Sequence, residues 1–373
     1  MTQGPALRSP LSGRPLVRDT PHSLAAQGER WPVVDGIPYL RTESEGLVAV
    51  ALDHLDAGCP DDALVALLTD QDAWWTGPAT DLTELKRLVR DRDTLSLRDA
   101  MALLRFGPVA DYFAYRWSDP TYLAGLALLD AHGGDARTAF ELASGIGHYL
   151  RDLTRLGIDC VGADVVFAKC WLAKHWVAPR ADYVVFDAAA AWPIADLHFD
   201  LVLCQDAFYF LPYQPLVAAL QRAARAPGGT LAIGHLHNAG HAPGALGPAR
   251  SAAEWAALFP GARVYDERAL LHALMTDGDA AATGWTDDPA VEAWSLVEGE
   301  DCPRPAPRGL AMPPADAVLR RNPLLTDDGV RWPSARYQAE YGAGCFWALP
   351  DAALPFAADA VRLRRLVDLP GRW

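Results

Sequence analysis

The stretch Thr138-Ala-Phe-Glu-Leu-Ala-Ser-Gly-Ile-Gly-His148 constrains the fold more than any other, because a short apolar run ends in an acid and then breaks into a turn containing glycine. Such a run reads as a buried strand feeding a cofactor loop. A backbone without Cβ passes a tight strand-to-helix turn and lets a ligand approach the amides of the helix that follows. Ile158-Asp-Cys-Val-Gly-Ala-Asp164 reads as a second buried strand that also ends in an acid. The distance between the two fits a βαβ unit, in which doubly wound folds set a carboxylate against a ribose diol.

Three further stretches follow in order: Tyr183-Val-Val-Phe-Asp187-Ala188, His198-Phe-Asp-Leu-Val-Leu-Cys204 and Ala226-Pro-Gly-Gly-Thr-Leu-Ala-Ile233. Together with the first two they resemble class I S-adenosylmethionine-dependent methyltransferases, over roughly residues 119–300. The family pattern is acid-x-Gly-x-Gly-x-Gly, and Glu141-Leu-Ala-Ser-Gly-Ile-Gly147 matches it except at Ala143. Alanine tolerates most turn conformations other than positive φ, which makes the departure a mild one. The resemblance implies a doubly wound, Rossmann-like α/β fold with a seven-stranded sheet and S-adenosyl-L-methionine as cofactor. It also implies roles. Glu141 sits beneath the methionine moiety, Ala143, Ser144, Gly145 and Gly147 form the cofactor turn, Asp164 holds the ribose hydroxyls, and Asp187 with Ala188 meets the adenine. Gln205, after the fourth strand, joins the cofactor set.

Composition bounds the partners. Net charge is -14 with 47 acids against 33 bases, and so acidic a surface repels a phosphate backbone. Nucleic acid is therefore an unlikely partner and a small-molecule substrate the expected one. The six cysteines, at 59, 160, 170, 204, 302 and 345, form no C-x-x-C pair, which argues against structural disulfides and a cysteine zinc site. No run approaches the ~18 apolar residues of a membrane span. Met1-Thr-Gln-Gly-Pro lacks the parts of a signal peptide, so a cytoplasmic location is expected. Oligomeric state is left open.

Four regions are expected. Residues 1–42 resemble, through Leu7-Arg-Ser-Pro-Leu-Ser-Gly-Arg-Pro-Leu16 and Arg30-Trp-Pro-Val-Val-Asp-Gly-Ile-Pro-Tyr39, the short zinc ribbon that precedes some bacterial methyltransferase domains. The ligand positions fall on Ser9, Ser12, Leu24 and Gln27, none of them a thiolate, so no metal is assigned and Trp31, Val33, Ile37 and Tyr39 are expected to pack on the next domain. An irregular arm with a hairpin is the alternative. Residues 43–118 carry a helical pattern with breaks at Gly58-Cys-Pro60 and Gly77-Pro78; Trp74 and Trp75 read as core or as pocket lining. Here Tyr112, Tyr115 and Arg116 are candidates to close the site, or else an aromatic joint between helices and sheet. Residues 119–300 form the methyltransferase domain, with a capping box at Ser251 and Glu254, later strands at 262–265 and 293–297, and a loop or irregular crossover at 277–289. Residues 301–373 open as a proline-rich linker and end as an appendage with a basic tail at Arg362, Arg364 and Arg365.

Ligands of open α/β sheets bind beyond the carboxyl ends of the strands, which puts the reacting groups in the loops after strands four and five. Those loops hold Gln205, Asp206 and Tyr209, then His235, His237, Asn238 and His241. If the fifth strand continues through them, His235 and His237 point to one side. His235, His237 and Asp206 then act as a catalytic base or substrate-orienting group, with Tyr209 against the substrate. Competing readings are a metal site with Asp206 or His241 as third ligand, and polar loop residues without a role. The functional expectation is methyl transfer to oxygen or nitrogen of a small or medium-sized organic acceptor in biosynthesis. The alternatives are an RNA methyltransferase, or a non-catalytic S-adenosylmethionine-binding scaffold subunit.

Overall fold

The computed structural model describes residues 6–71, 77–194, 196–241, 247–299 and 309–373. Trp74, Trp75, Cys302 and the prolines at 303, 305 and 307 lie outside the described residues. The chain opens with a four-stranded antiparallel sheet of β1 (Val17–Thr20), β2 (Ser23–Ala26), β3 (Glu29–Val34) and β4 (Ile37–Pro38). Six helices of the following segment are α1 (Glu45–Asp56), α2 (Pro60–Leu68), α3 (Leu82–Asp91), α4 (Leu97–Leu103), α5 (Pro108–Tyr115) and α6 (Pro120–His132). Gly58 and Pro60 separate the first two, and Asp119 caps α6 by accepting from Tyr122 N, with Pro120 at its first position.

The main sheet takes β5 (Thr138–Leu142), β6 (Asp159–Asp164), β7 (Asp182–Val185), β8 (Phe199–Gln205), β9 (Arg225–His237), β10 (Arg263–Asp266) and β11 (Ala293–Gly299) in the order β10-β11-β9-β8-β5-β6-β7. The five strands from β9 to β7 pair in parallel, and β11 runs antiparallel between β9 and β10. This is the expected doubly wound, Rossmann-like seven-stranded sheet. Alternate residues of one strand enter different cores: Leu201 and Leu203 of β8 face one side, Val202 and Cys204 the other. Burial on both faces explains why these strands read as unbroken apolar runs.

Crossovers come from α7 (His148–Arg155), α8 (Phe167–Leu172, continued to Val177 as a wider turn), α9 (Gln214–Ala223), α10 (Ala252–Leu258) and α11 (Glu267–Thr276). The capping box between Ser251 and Glu254 is present. Helix α11 is not expected from the sequence; the loop expected at 277–289 follows it, within an irregular stretch at 277–292. Asp266 caps the helix by accepting from Arg268 N, and Leu270, Leu271 and Leu274 bury its inner face.

Both ends of the chain are drawn onto this body. Leu40 N donates to Val185 O at 2.7 Å, so the first sheet covers the exposed edge of β7, and Trp31, Val33, Ile37 and Tyr39 are all buried. Beyond 309, β12 (Leu319–Arg321) pairs with β15 (Leu366–Asp368), β13 (Leu325–Thr326) with β14 (Gly329–Val330), and α12 (Ala335–Tyr341) follows. Tyr337, Tyr341 and Trp347 pack with Tyr112 and Tyr115 in a small separate core. The basic tail is not a free one. Arg364 is buried, Arg362 pairs with Asp277 at 3.0 Å, and Arg365 pairs with Asp351.

Candidate functional site

A cleft of about 540 Å³ opens beyond the carboxyl ends of β5 to β9, within the usual range for small-molecule sites. Its floor is the loop after β5. Ala143, Gly145 and Gly147 have φ of 55°, 54° and 79°, so the loop is left-handed at three places. This overturns the mild reading of Ala143: the alanine occupies a conformation that costs an L-residue with a Cβ roughly 1–2 kcal/mol. A Cβ on Gly145 would lie 3.1 Å from the Phe113 ring, which the loop approaches closely.

Asp164, at the end of β6, fastens that loop by accepting from Gly145 N at 3.1 Å and Val166 N at 3.0 Å, with Lys169 Nζ at 3.5 Å. Asp187 accepts from Ala189 N at 2.8 Å and turns the chain after β7. Glu141 and Ser144 are buried, yet Glu141 Oε2 and Ser144 Oγ have no hydrogen-bond partner among the described residues. A buried polar atom left unpaired costs about 1–3 kcal/mol, so both suit a polar ligand in the cleft that they line. Burial holds the Glu141 carboxyl well above its usual range, against the charge of nearby Arg116.

The other half of the cleft is a charged network on Asp206. Tyr112 and Tyr209 each donate a hydroxyl to it at 2.9 Å, and Arg116 Nη1 lies 3.1 Å away. Arg116 also contacts Asp119 at 3.4 Å and stacks its guanidinium over Tyr112. Burial pushes the Asp206 carboxyl up, but the charges of His235 and Arg116 and the two hydroxyls together hold it below its usual range. His235 donates from Nδ1 to Glu267 Oε2 at 2.7 Å, while its backbone N donates to Oε1 of the same carboxylate. Burial would lower its pKa; the carboxylates of Glu267 and Asp206 raise it to about 10. His237 is the opposite case, for burial and the charge on His235 push it down to about 4. Its Nδ1 has no partner among the described residues.

Both histidines do project to one side, although β9 bulges there. His235 has φ 61°, and the register with β11 slips between Trp294 and Leu296. Most of the residues singled out from sequence line this cleft: Glu141, Ala143, Ser144, Gly145, Asp164, Asp187, Ala188, Gln205, Asp206, Tyr209, His235, His237, Tyr112 and Arg116. Gly147 lies behind the loop, where a Cβ would meet Tyr183 Oη at 2.9 Å. Tyr115 points away, against Tyr337 and Trp373, and the His241 ring turns outward to Pro289 O. Sequence reasoning missed Glu267, Glu292, Arg41, His148 and the α12 residues Arg336, Tyr337, Glu340 and Tyr341, all but Glu267 in the cleft wall. A helix signal exists for two of these groups: Asp266 starts the helix carrying Glu267, and Ser334 precedes Tyr337 and Tyr341, four residues apart on one face. Among the described residues no group of three or more His, Cys, Asp or Glu is arranged to hold a metal, and no helix is long and apolar enough to cross a membrane.

Residues 140–233, spanning β5 to β9, match the family model described as a methyltransferase domain. No curated protein matches the chain. Among solved structures it is similar to a TehB-like SAM-dependent methyltransferase from Corynebacterium glutamicum, at 17% identity over 48% of this chain and 88% of that one, with a TM-score of 0.37. It is similar also to the amino pentose methyltransferase CalS10 from Micromonospora echinaspora, at 24% identity over 31% and 50%, with a TM-score of 0.27. A third is the complex of the Haloferax volcanii Trm112 methyltransferase activator with a putative methyltransferase, at 20% identity over 54% and 96%, with a TM-score of 0.37. With the domain match comes the cofactor, S-adenosylmethionine.

Proposed function

Starting from the methyltransferase domain at residues 140–233, we propose that the chain transfers a methyl group from S-adenosylmethionine to oxygen or nitrogen of a small or medium-sized organic acceptor, as an enzyme of biosynthesis. One observation carries this reading: Glu141, Asp164 and Asp187 on successive strand ends share a single cleft with the network of Asp206, His235 and His237. The cofactor, when bound, supplies an electrophilic methyl group on a sulfonium.

The chain's own residues divide the remaining work. An ionised carboxylate has about four acceptor sites, so Asp164 holds the ribose hydroxyls with those that Gly145 and Val166 leave open. Glu141 and Ser144 serve the methionine end through their unpaired oxygens. Asp187 and Ala188 flank the adenine, and Gln205 lies between cofactor and acceptor. Catalysis then consists mainly of holding the acceptor lone pair about 3 Å from the methyl carbon and excluding water, which Tyr112, Tyr209 and the α12 rings do. His237, neutral and unpaired at Nδ1, orients the acceptor by taking a hydrogen bond; its low basicity suits that task better than keeping a proton. His235 stays charged and is a positioning residue that fixes Asp206.

Calorimetry with S-adenosylhomocysteine tests the cofactor half. Asp164→Ala removes charge-assisted hydrogen bonds worth roughly 1.5–3 kcal/mol each, so affinity is expected to fall at least tenfold. Unchanged affinity, or no binding to the wild type, sinks the reading.

A further inference from the structure

We propose that the acceptor is a cationic amine, bound at the α12 end of the cleft. The inference rests on the cofactor assignment above and adds the acceptor class to it. Three carboxylates line that end: Asp206, Glu292 and Glu340. Among the described residues its three cations are committed, Arg116 to Asp206 and Asp119, His235 to Glu267, and Arg336 to Glu340 at 3.5 Å from a largely exposed position. The Glu292 carboxylate is left without a hydrogen bond or ion pair among the described residues, while its backbone O accepts from Asn238 N at 2.9 Å. Glu292 is half-buried immediately before β11, whose first residue, Ala293, pairs with His237. Anionic charge in excess over cations, taken partly out of water, selects a positively charged ligand.

The walls point the same way. Tyr341 lies 6.2 Å between centroids from Tyr112, one face of which Arg116 already covers, Tyr209 packs edge-on to the neutral His237 ring at 4.4 Å, and Phe210 stands half-exposed at the rim. The faces of such rings attract a desolvated ammonium by about 0.5–2 kcal/mol each, an attraction that an alcohol or phenol acceptor does not use. The chemistry balances. The bound ammonium first gives one proton to the Glu292 carboxylate, which passes it to water. The freed nitrogen lone pair then forms the new N–C bond as the S–C bond breaks, so the cofactor leaves as a neutral thioether and the product is again an ammonium held by the same carboxylates.

The test uses the full chain saturated with S-adenosylhomocysteine and two probes of nearly equal shape, benzylamine, protonated at pH 7.5, and benzyl alcohol. Benzylamine is expected to bind at least tenfold tighter. Glu292→Gln and Glu340→Gln should each reduce that preference severalfold while leaving the affinity for S-adenosylhomocysteine unchanged, which also shows that the variants fold. Benzylamine binding no tighter than benzyl alcohol, including no binding of either, overturns the amine inference and leaves the cofactor reading intact, as does a preference that survives both variants. Failure of the wild type to bind S-adenosylhomocysteine overturns both.

Discussion

The His235 and His237 rings lie 4.6 Å apart, edge to face, one charged and the other neutral. His235 is an imidazolium between the Glu267 and Asp206 carboxylates, and that charge helps to keep His237 neutral. Unfolded histidine titrates near 6.5. Because the folded pKa of His235 is raised to about 10, its stabilisation is complete below 6.5 and is lost as pH rises from 6.5 to 10. For His237, depressed to about 4, the stabilisation is complete above 6.5 and is lost as pH falls from 6.5 to 4. The two contributions therefore decline on opposite sides of pH 6.5.

Thermal melts from pH 4 to 10 on the wild type, His235→Gln and His237→Gln check this. Differences from the wild type isolate each arm, which matters because burial pushes Asp119 up to about 6, within the same range. The advantage of the wild type over His235→Gln should shrink above pH 6.5, and its advantage over His237→Gln should shrink below it. An advantage that is flat with pH in either comparison contradicts the charge assignment.

Ala143→Gly should stabilise the fold. The left-handed φ of 55° costs alanine roughly 1–2 kcal/mol, while glycine loses more chain entropy on folding, by about 0.5–1 kcal/mol. The balance is a gain of up to about 1.5 kcal/mol, or up to about 2 °C in Tm for a chain of this size. Differential scanning calorimetry decides it, and a lower Tm for the glycine variant would show that the Ala143 methyl group is needed for packing.

How much of this was legible in the sequence follows from how local each signal is. Strands buried on both faces announce themselves as apolar runs, and the acids that end them, Glu141, Asp164 and Asp187, fall where the cleft is. The conformation at Ala143 was not legible, since an alanine in a turn carries no mark of its φ. Glu267 and Glu340 were hidden for a different reason: each sits on a short helix placed by packing between residues distant in sequence, Glu267 against His235, 32 residues away, and Glu340 on a helix whose tyrosines pack on Tyr112 and Tyr115, more than two hundred residues away. Arg362, Arg364 and Arg365 looked like a free basic tail because ion pairs with Asp277 and Asp351 cannot be read from charge spacing alone.

Arg116 is expected to be the most destabilising single truncation in the site. It is 3% exposed and pairs with both Asp119 and Asp206, so Arg116→Leu leaves two buried carboxylates short of a counterion. Breaking such a buried pair costs about 3–5 kcal/mol. Urea unfolding should show that loss, and adding Asp206→Asn to Arg116→Leu should recover part of it. If the double variant is weaker by the sum of the two single changes, the pair is not coupled and the network does not hold the cleft together.

Nucleic acid should not bind. An enzyme that grips RNA neutralises several phosphates and releases counterions, giving affinity that falls steeply with salt. With 47 acids against 33 bases the chain repels such a polyanion overall, so a basic patch would have to supply the grip. The cluster at 362–365 does not, because Arg364 is 4% exposed and Arg362 and Arg365 are occupied by Leu274 O, Asp277 and Asp351. Inside the cleft, Arg116 and His235 are likewise held by carboxylates, and the unpaired charge of Glu292 would face the incoming phosphate. Binding to total bacterial RNA is therefore expected to be weaker than about 10 μM at physiological salt, inside the usual non-specific range. A filter-binding titration giving sub-micromolar affinity with a salt slope of several units would replace the small acceptor with an RNA one.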